Sequence, residues 1–129
     1  MRLLGLDVGT KRIGVAFCDT NVGIVFPRES IFANDKVVAI KKIIDIVIKD
    51  KIDKIVVGLP LNFNSTRSKI QGYIEDFCSN LKKEVNVEVE TFDERFTTRI
   101  AQDAGVKNID SVSAKIILED YIKSKGLYK

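Results

Sequence analysis

Residues 2–19 read Arg2-Leu3-Leu4-Gly5-Leu6-Asp7-Val8-Gly9-Thr10-Lys11-Arg12-Ile13-Gly14-Val15-Ala16-Phe17-Cys18-Asp19, and their pattern decides the fold. Residues 2–8 form a short apolar run ending at an acid, and Gly9-Thr10 is a turn signal. Arg12–Asp19 continues as a second strand, in which Ile13, Val15 and Phe17 alternate with Gly14 and Ala16. Residues 23–32, rich in Val, Ile and Phe, predict a third strand, which Pro27 assigns to an edge or interrupts, because proline cannot donate to a ladder. Three short strands separated by turns read as an antiparallel meander.

Beyond residue 32 the period changes. Val37, Ile40, Ile44 and Val47 recur at helical spacing between Asp35 and Lys51. Ile55-Val56-Val57 is a buried-type strand ending in Gly58-Leu59-Pro60, and a second helix is expected from Ser68 to Lys83. Val85–Phe92 alternates Val with Asn or Glu, a fifth strand with one wet side. Thr97–Ala104 reads as a short helix and Ser113–Lys125 as a terminal one, with Ile117, Leu118, Tyr121 and Ile122 inward. This order predicts one α/β layered domain over residues 1–129, a mixed sheet flanked by helices.

Composition narrows the chemistry. The chain has 129 residues, 45% hydrophobic and 30% charged, the size of one domain that buries a core. No apolar run reaches the roughly 18 residues that span a bilayer, and Asp7 interrupts any signal-peptide stretch, so no membrane and a cytoplasmic location are the expectation. Cys18 and Cys78, in unrelated surroundings, read as reduced, buried thiols. Histidine is absent, which excludes Ser-His-Asp and Cys-His machinery and any His-ligated zinc. Acid–base work must then come from carboxylates, lysines or metal-activated water. A net charge of +3 does not by itself indicate a nucleic-acid partner, and no aromatic platform or basic stripe stands out in the sequence.

Four segments exceed what a core requires, each at a strand end or helix start, where open sheets gather functional groups. Asp7 ends a buried strand, where an acid is costly unless paired or bound to a cation; Lys11 and Arg12 follow it as phosphate candidates. The loop from Gly58 through Asn62 and Asn64 to Arg67 leads into a helix N-terminus, although Ser/Thr capping accounts for much of it. Asp93-Glu94-Arg95-Phe96-Thr97-Thr98 sets two carboxylates and an arginine at a strand end; capping explains the threonines but not the paired acids. Asp110, just before the predicted terminal helix, is readily explained as a cap or first-turn residue; its function would be that of a further metal ligand from a helix start. Asp7, Glu94 or Asp93, and Asp110 would together offer only hard oxygen ligands, the preference of Mg²⁺ or Mn²⁺. Four of the six arginines, Arg12, Arg67, Arg95 and Arg99, lie in or beside these segments, and guanidinium suits phosphate.

The stretches Leu4–Asp19, Gly58–Asn62, Asp93–Thr98 and Asp110–Ile122 resemble the signatures of the YqgF/RuvX family, in motif order and over nearly the whole chain. The resemblance implies an RNase H-like three-layer domain: a five-stranded mixed sheet, its first three strands antiparallel, with helices on both faces. It implies a metal-dependent endonuclease with Asp7, Glu94 and Asp110 as catalytic metal ligands, Asp93 being the alternative acid, and Mg²⁺ or Mn²⁺ as cofactor. Lys11, Arg12, Asn62, Arg67, Arg95, Thr97, Thr98 and Arg99 become the substrate-binding candidates. The implied substrate is nucleic acid: the 5′ end of precursor 16S ribosomal RNA in ribosome biogenesis, or alternatively four-way DNA junctions in recombination and repair. A monomer or homodimer is expected, and a resolvase would need the dimer. Nucleotide binding and a non-catalytic RNA-binding ribosome-assembly role are the remaining classes. Two features depart from the family pattern: the short, glycine-free loop Phe63–Arg67, and Ser113 where alanine is usual.

Overall fold

Residues 1–60, 69–94 and 109–127 are described by the computed structural model. Among them the elements run β1 (Arg2–Val8), β2 (Arg12–Asp19), β3 (Ile24–Phe32), α1 (Lys36–Lys49), β4 (Lys54–Pro60), α2 (Lys69–Glu84), β5 (Glu88–Glu94) and α3 (Ile109–Ser124). The strands form one sheet in the order β3-β2-β1-β4-β5. β1–β2 and β2–β3 pair antiparallel, giving the expected meander, whereas β1–β4 and β4–β5 are parallel. Pro27 does sit on an edge strand, β3.

Both faces of the sheet are covered, and strand alternation decides which residue goes where. Leu4, Leu6, Val8, Ile13, Val15, Ile55 and Val57 meet Ile40 and Ile43 of α1 and Ile74, Phe77 and Leu81 of α2. The opposite parity, Leu3, Ala16, Cys18 and Val56, meets Ala114, Ile117, Leu118 and Tyr121 of α3. A strand buried on both faces reads as a continuous apolar run, which is why Ile55-Val56-Val57 shows no alternation. Gly5 lets α3 approach β1: a Cβ there would lie 3.1 Å from Leu118 Cβ and 3.2 Å from the Ala114 carbonyl oxygen.

Two boundaries differ from the sequence expectation by three residues or more. β5 begins at Glu88 rather than Val85, because the Val85 N–H still donates to Leu81 O (3.1 Å) and closes α2. Val85 and Val87 alternate because they pack against the core from the connection. α3 begins at Ile109 rather than Ser113, so Asp110 lies inside the first turn of the helix, not ahead of it. The predicted helix Thr97–Ala104 lies outside the described residues. Asp35 caps α1, its carboxylate accepting from the N–H of Val37 (2.9 Å) and Val38 (3.4 Å).

Toward the amino end of β4, Lys54 ties the sheet to α3. Its Nζ donates to Tyr121 Oη (3.0 Å) and Glu90 Oε1 (3.2 Å) and pairs with Glu88 at 3.3 Å. These partners, the tyrosine hydroxyl foremost, hold its pKa above the ordinary lysine value despite burial.

Candidate functional site

β1, β4 and β5 are parallel, so their carboxyl ends lie at one end of the sheet. α3 runs against them. Tyr121 reaches Lys54, the register partner of Leu3, while Ala114 and Leu118 lie over Gly5. Moving along β1 from Leu3 to Gly5 thus moves backward along α3. Two more strand residues, about 7 Å, match four to five helical residues at about 1.5 Å each. The first turn of α3, which holds Asp110, therefore lies at the Asp7 end of β1. Position 110 is one turn ahead of Ala114 on the stripe of the helix that meets the sheet.

Asp7 is half-buried and pairs across β1–β2 with Gly14. It shares its parity with Leu3 and Gly5, hence the α3 face. The hairpin beyond it is tight: the Gly9 N–H donates to Arg12 O at 2.9 Å, and a Cβ on Gly9 would meet that same oxygen at 2.8 Å. That close approach is why glycine stands at position 9. The turn leaves Thr10, Lys11 and Arg12 exposed at the sheet end, and Lys11 O is fastened to β3 by the Ala33 N–H (2.9 Å).

On β5, Leu59 aligns with Asp93 and Pro60 with Glu94. Asp93 is exposed and shares parity with Val89, which packs on the α1/α2 side. Position 94 shares parity with Phe92, which packs on the α3 side with its ring 5.7 Å from that of Tyr121. With Val57 level with Leu6 and Phe92 level with Gly58, ideal spacings put the Cα atoms of Asp7 and Glu94 about 12 Å apart. The backbone thus brings positions 7, 94 and 110 to one end and one face of the sheet. Among the described residues no three acids or thiols cluster to hold a metal ion; the side chains of Glu94 and Asp110 are not among those described. Asn62, Arg67, Arg95, Thr97, Thr98 and Arg99 also lie outside the described residues.

Two residues that the sequence reading passed over belong to this end. Gln71 Nε2 donates to Pro60 O (2.7 Å), fastening the last residue of β4 to α2. Phe32 ends β3 opposite Arg12 and is exposed. The adjacent Ile31-Phe32 pair was a usable signal, since in a strand only one of two neighbours faces the core.

A family model described as RuvX, Holliday junction resolvase, matches residues 1–124. A protein of Clostridium tetani named "Putative pre-16S rRNA nuclease" is 40% identical, the alignment covering 96% of this chain and 97% of that one. One of the same name from Sulfurihydrogenibium sp. is 38% identical, over 94% and 89%. Among solved structures, T. thermophilus RuvC in complex with a Holliday junction substrate superposes with TM-score 0.61 at 10% identity, over 97% and 96% of the chains. The fowlpox virus resolvase with its junction DNA gives TM-score 0.61 at 12%, over 97% and 99%. At those identities the likeness concerns the fold, which is that of the RuvC-like, RNase H-like domains.

Proposed function

The chain belongs to the RuvX family, and from that premise we propose that it is a divalent-cation-dependent endonuclease that hydrolyses phosphodiester bonds in precursor 16S ribosomal RNA. The observation that carries the reading is the register that sets Asp7, position 94 and the first turn of α3 on one face at one sheet end.

Asp7, Glu94 and Asp110 would hold the cation. They fit it chemically: three oxygen donors and no histidine or thiolate suit Mg²⁺ or Mn²⁺. Glu94 is preferred to Asp93, whose parity is that of Val89 on the other face. The bound cation supplies activation of a water and neutralisation of charge on the leaving oxygen. The chain itself orients the substrate: Lys11 and Arg12, exposed on a hairpin held rigid by Gly9, carry positive charge to a phosphate beside Asp7. Arg67, Arg95 and Arg99 are further phosphate contacts by position in the sequence, with Asn62, Thr97 and Thr98 as neutral donors.

Asp7→Asn keeps the shape and removes the charge. It should lower Mn²⁺-dependent cleavage of precursor RNA by about 10³-fold or more, whereas Asp93→Asn should stay within roughly tenfold of wild type. Undiminished cleavage by Asp7→Asn would sink the assignment. The family description favours a second substrate, four-way DNA. Cleavage of junction DNA in preference to precursor RNA, by a stable twofold dimer, is the result that would select it.

A further inference from the structure

The fold also brings an open aromatic ring to the sheet end that carries Asp7. Phe32 is 67% exposed, the highest value for a large apolar side chain on any described strand. An irregularity in β3 puts it there: Ile13 pairs with Ile31 and Val15 with Arg28, so β3 advances three residues while β2 advances two. Ile31 consequently enters the core, and Phe32, opposite Arg12, takes the other face. That face is the one Asp7 shares through its partner Gly14. Ideal strand spacings put the Cα atoms of Asp7 and Phe32 about 12 Å apart, with the Lys11–Arg12 turn between them.

A phenyl ring left in water forgoes the burial that an aromatic side chain ordinarily contributes. Here it stands beside two cations and an acid at the strand ends. We propose that Phe32 is a stacking platform for an unpaired nucleobase of the substrate, with Lys11 and Arg12 taking the phosphates between that base and Asp7. This rests on the nuclease reading and adds a substrate feature to it: the strand is single-stranded where it crosses β3. Stacking asks only for a base whose face is free, which a paired base lacks, and it tolerates any sequence.

The chain has no tryptophan, so Phe32→Trp installs a unique indole at the platform. Its fluorescence should be quenched by a short single-stranded RNA of mixed sequence in the presence of EDTA, where no cleavage occurs. The same RNA as a blunt duplex should leave it unquenched. Phe26→Trp is the control: Phe26 is 49% exposed on the same strand but pairs with Phe17, on the opposite face of the sheet from Asp7. It should not respond. Phe32→Ala should weaken binding of the single strand roughly 5- to 150-fold, while Phe32→Tyr preserves it. An unquenched Phe32→Trp, equal quenching by the duplex, or a Phe32→Ala affinity equal to wild type overturns the platform. These readouts need no catalysis, so a wild type that binds the single strand but cuts nothing, beside a Phe32→Trp variant that is quenched, overturns the proposed function alone.

Discussion

Asp7 and Cys78 show how burial assigns opposite roles to ionisable side chains. Asp7 stands half-buried at a strand end, followed by the exposed Lys11 and Arg12 of the next turn. Cys78 lies inside the α2 face of the core, and desolvation pushes its thiol from 9.0 up to about 11. A raised folded-state pKa means that stability is intact below pH 9 and is lost as pH climbs toward 11, because the unfolded chain releases its proton first. Two pH units correspond to about 2–3 kcal/mol. The unfolding free energies of wild type and Cys78→Ala, measured by urea titration, should therefore converge by about that amount between pH 9 and pH 11. A constant gap would contradict the buried, neutral thiol. The sequence predicts reduced, buried cysteines from count and spacing, and both are buried; the size of the shift needed the packing.

At the scale of elements, the site depends on how closely α3 lies on β1. Gly5 sets that distance, and the Lys54–Tyr121 contact anchors the helix at its far end. Gly5→Ala forces Leu118 and the Ala114 carbonyl to give way by a few tenths of an ångström. It should cost about 1–3 kcal/mol, read as a lowered melting temperature. It should also reduce cleavage at temperatures where the variant stays folded, because the helix turn carrying Asp110 moves relative to Asp7. A folded Gly5→Ala with full activity would mean that this spacing does not matter to the reaction. Hydrophobic period identified all eight described elements, with errors confined to boundaries. Val85 and Val87 imitated a strand because packing from a connection also produces alternation. The α3 start is read late because Asp110, a favoured N-cap residue, signals a cap ahead of the helix, whereas it lies within the first turn.

For the molecule as a whole, a net charge of +3 is too small to bind nucleic acid by bulk attraction, so placement must do it. Binding of single-stranded RNA should weaken with salt, each phosphate contact contributing a slope of about −0.7 in log affinity against log salt. Lys11→Ala should flatten that slope by about 0.7, whereas removal of Lys82, exposed on α2 on the opposite layer, should leave it unchanged. Equal slopes for wild type and Lys11→Ala would remove Lys11 from the interface. By itself the sequence determined the meander, the alternation of helix and strand, the acids worth considering and the family they resemble, because period, turn residues and motif spacing are local properties of the chain. Only the tertiary structure decided that Asp93 has the parity of Val89, that Asp110 stands in a helical turn at the Asp7 end, and that Phe32 is open beside Arg12. Those facts follow from register, from helix direction over the sheet and from one irregularity in β3, all of which come from pairings between residues far apart along the chain.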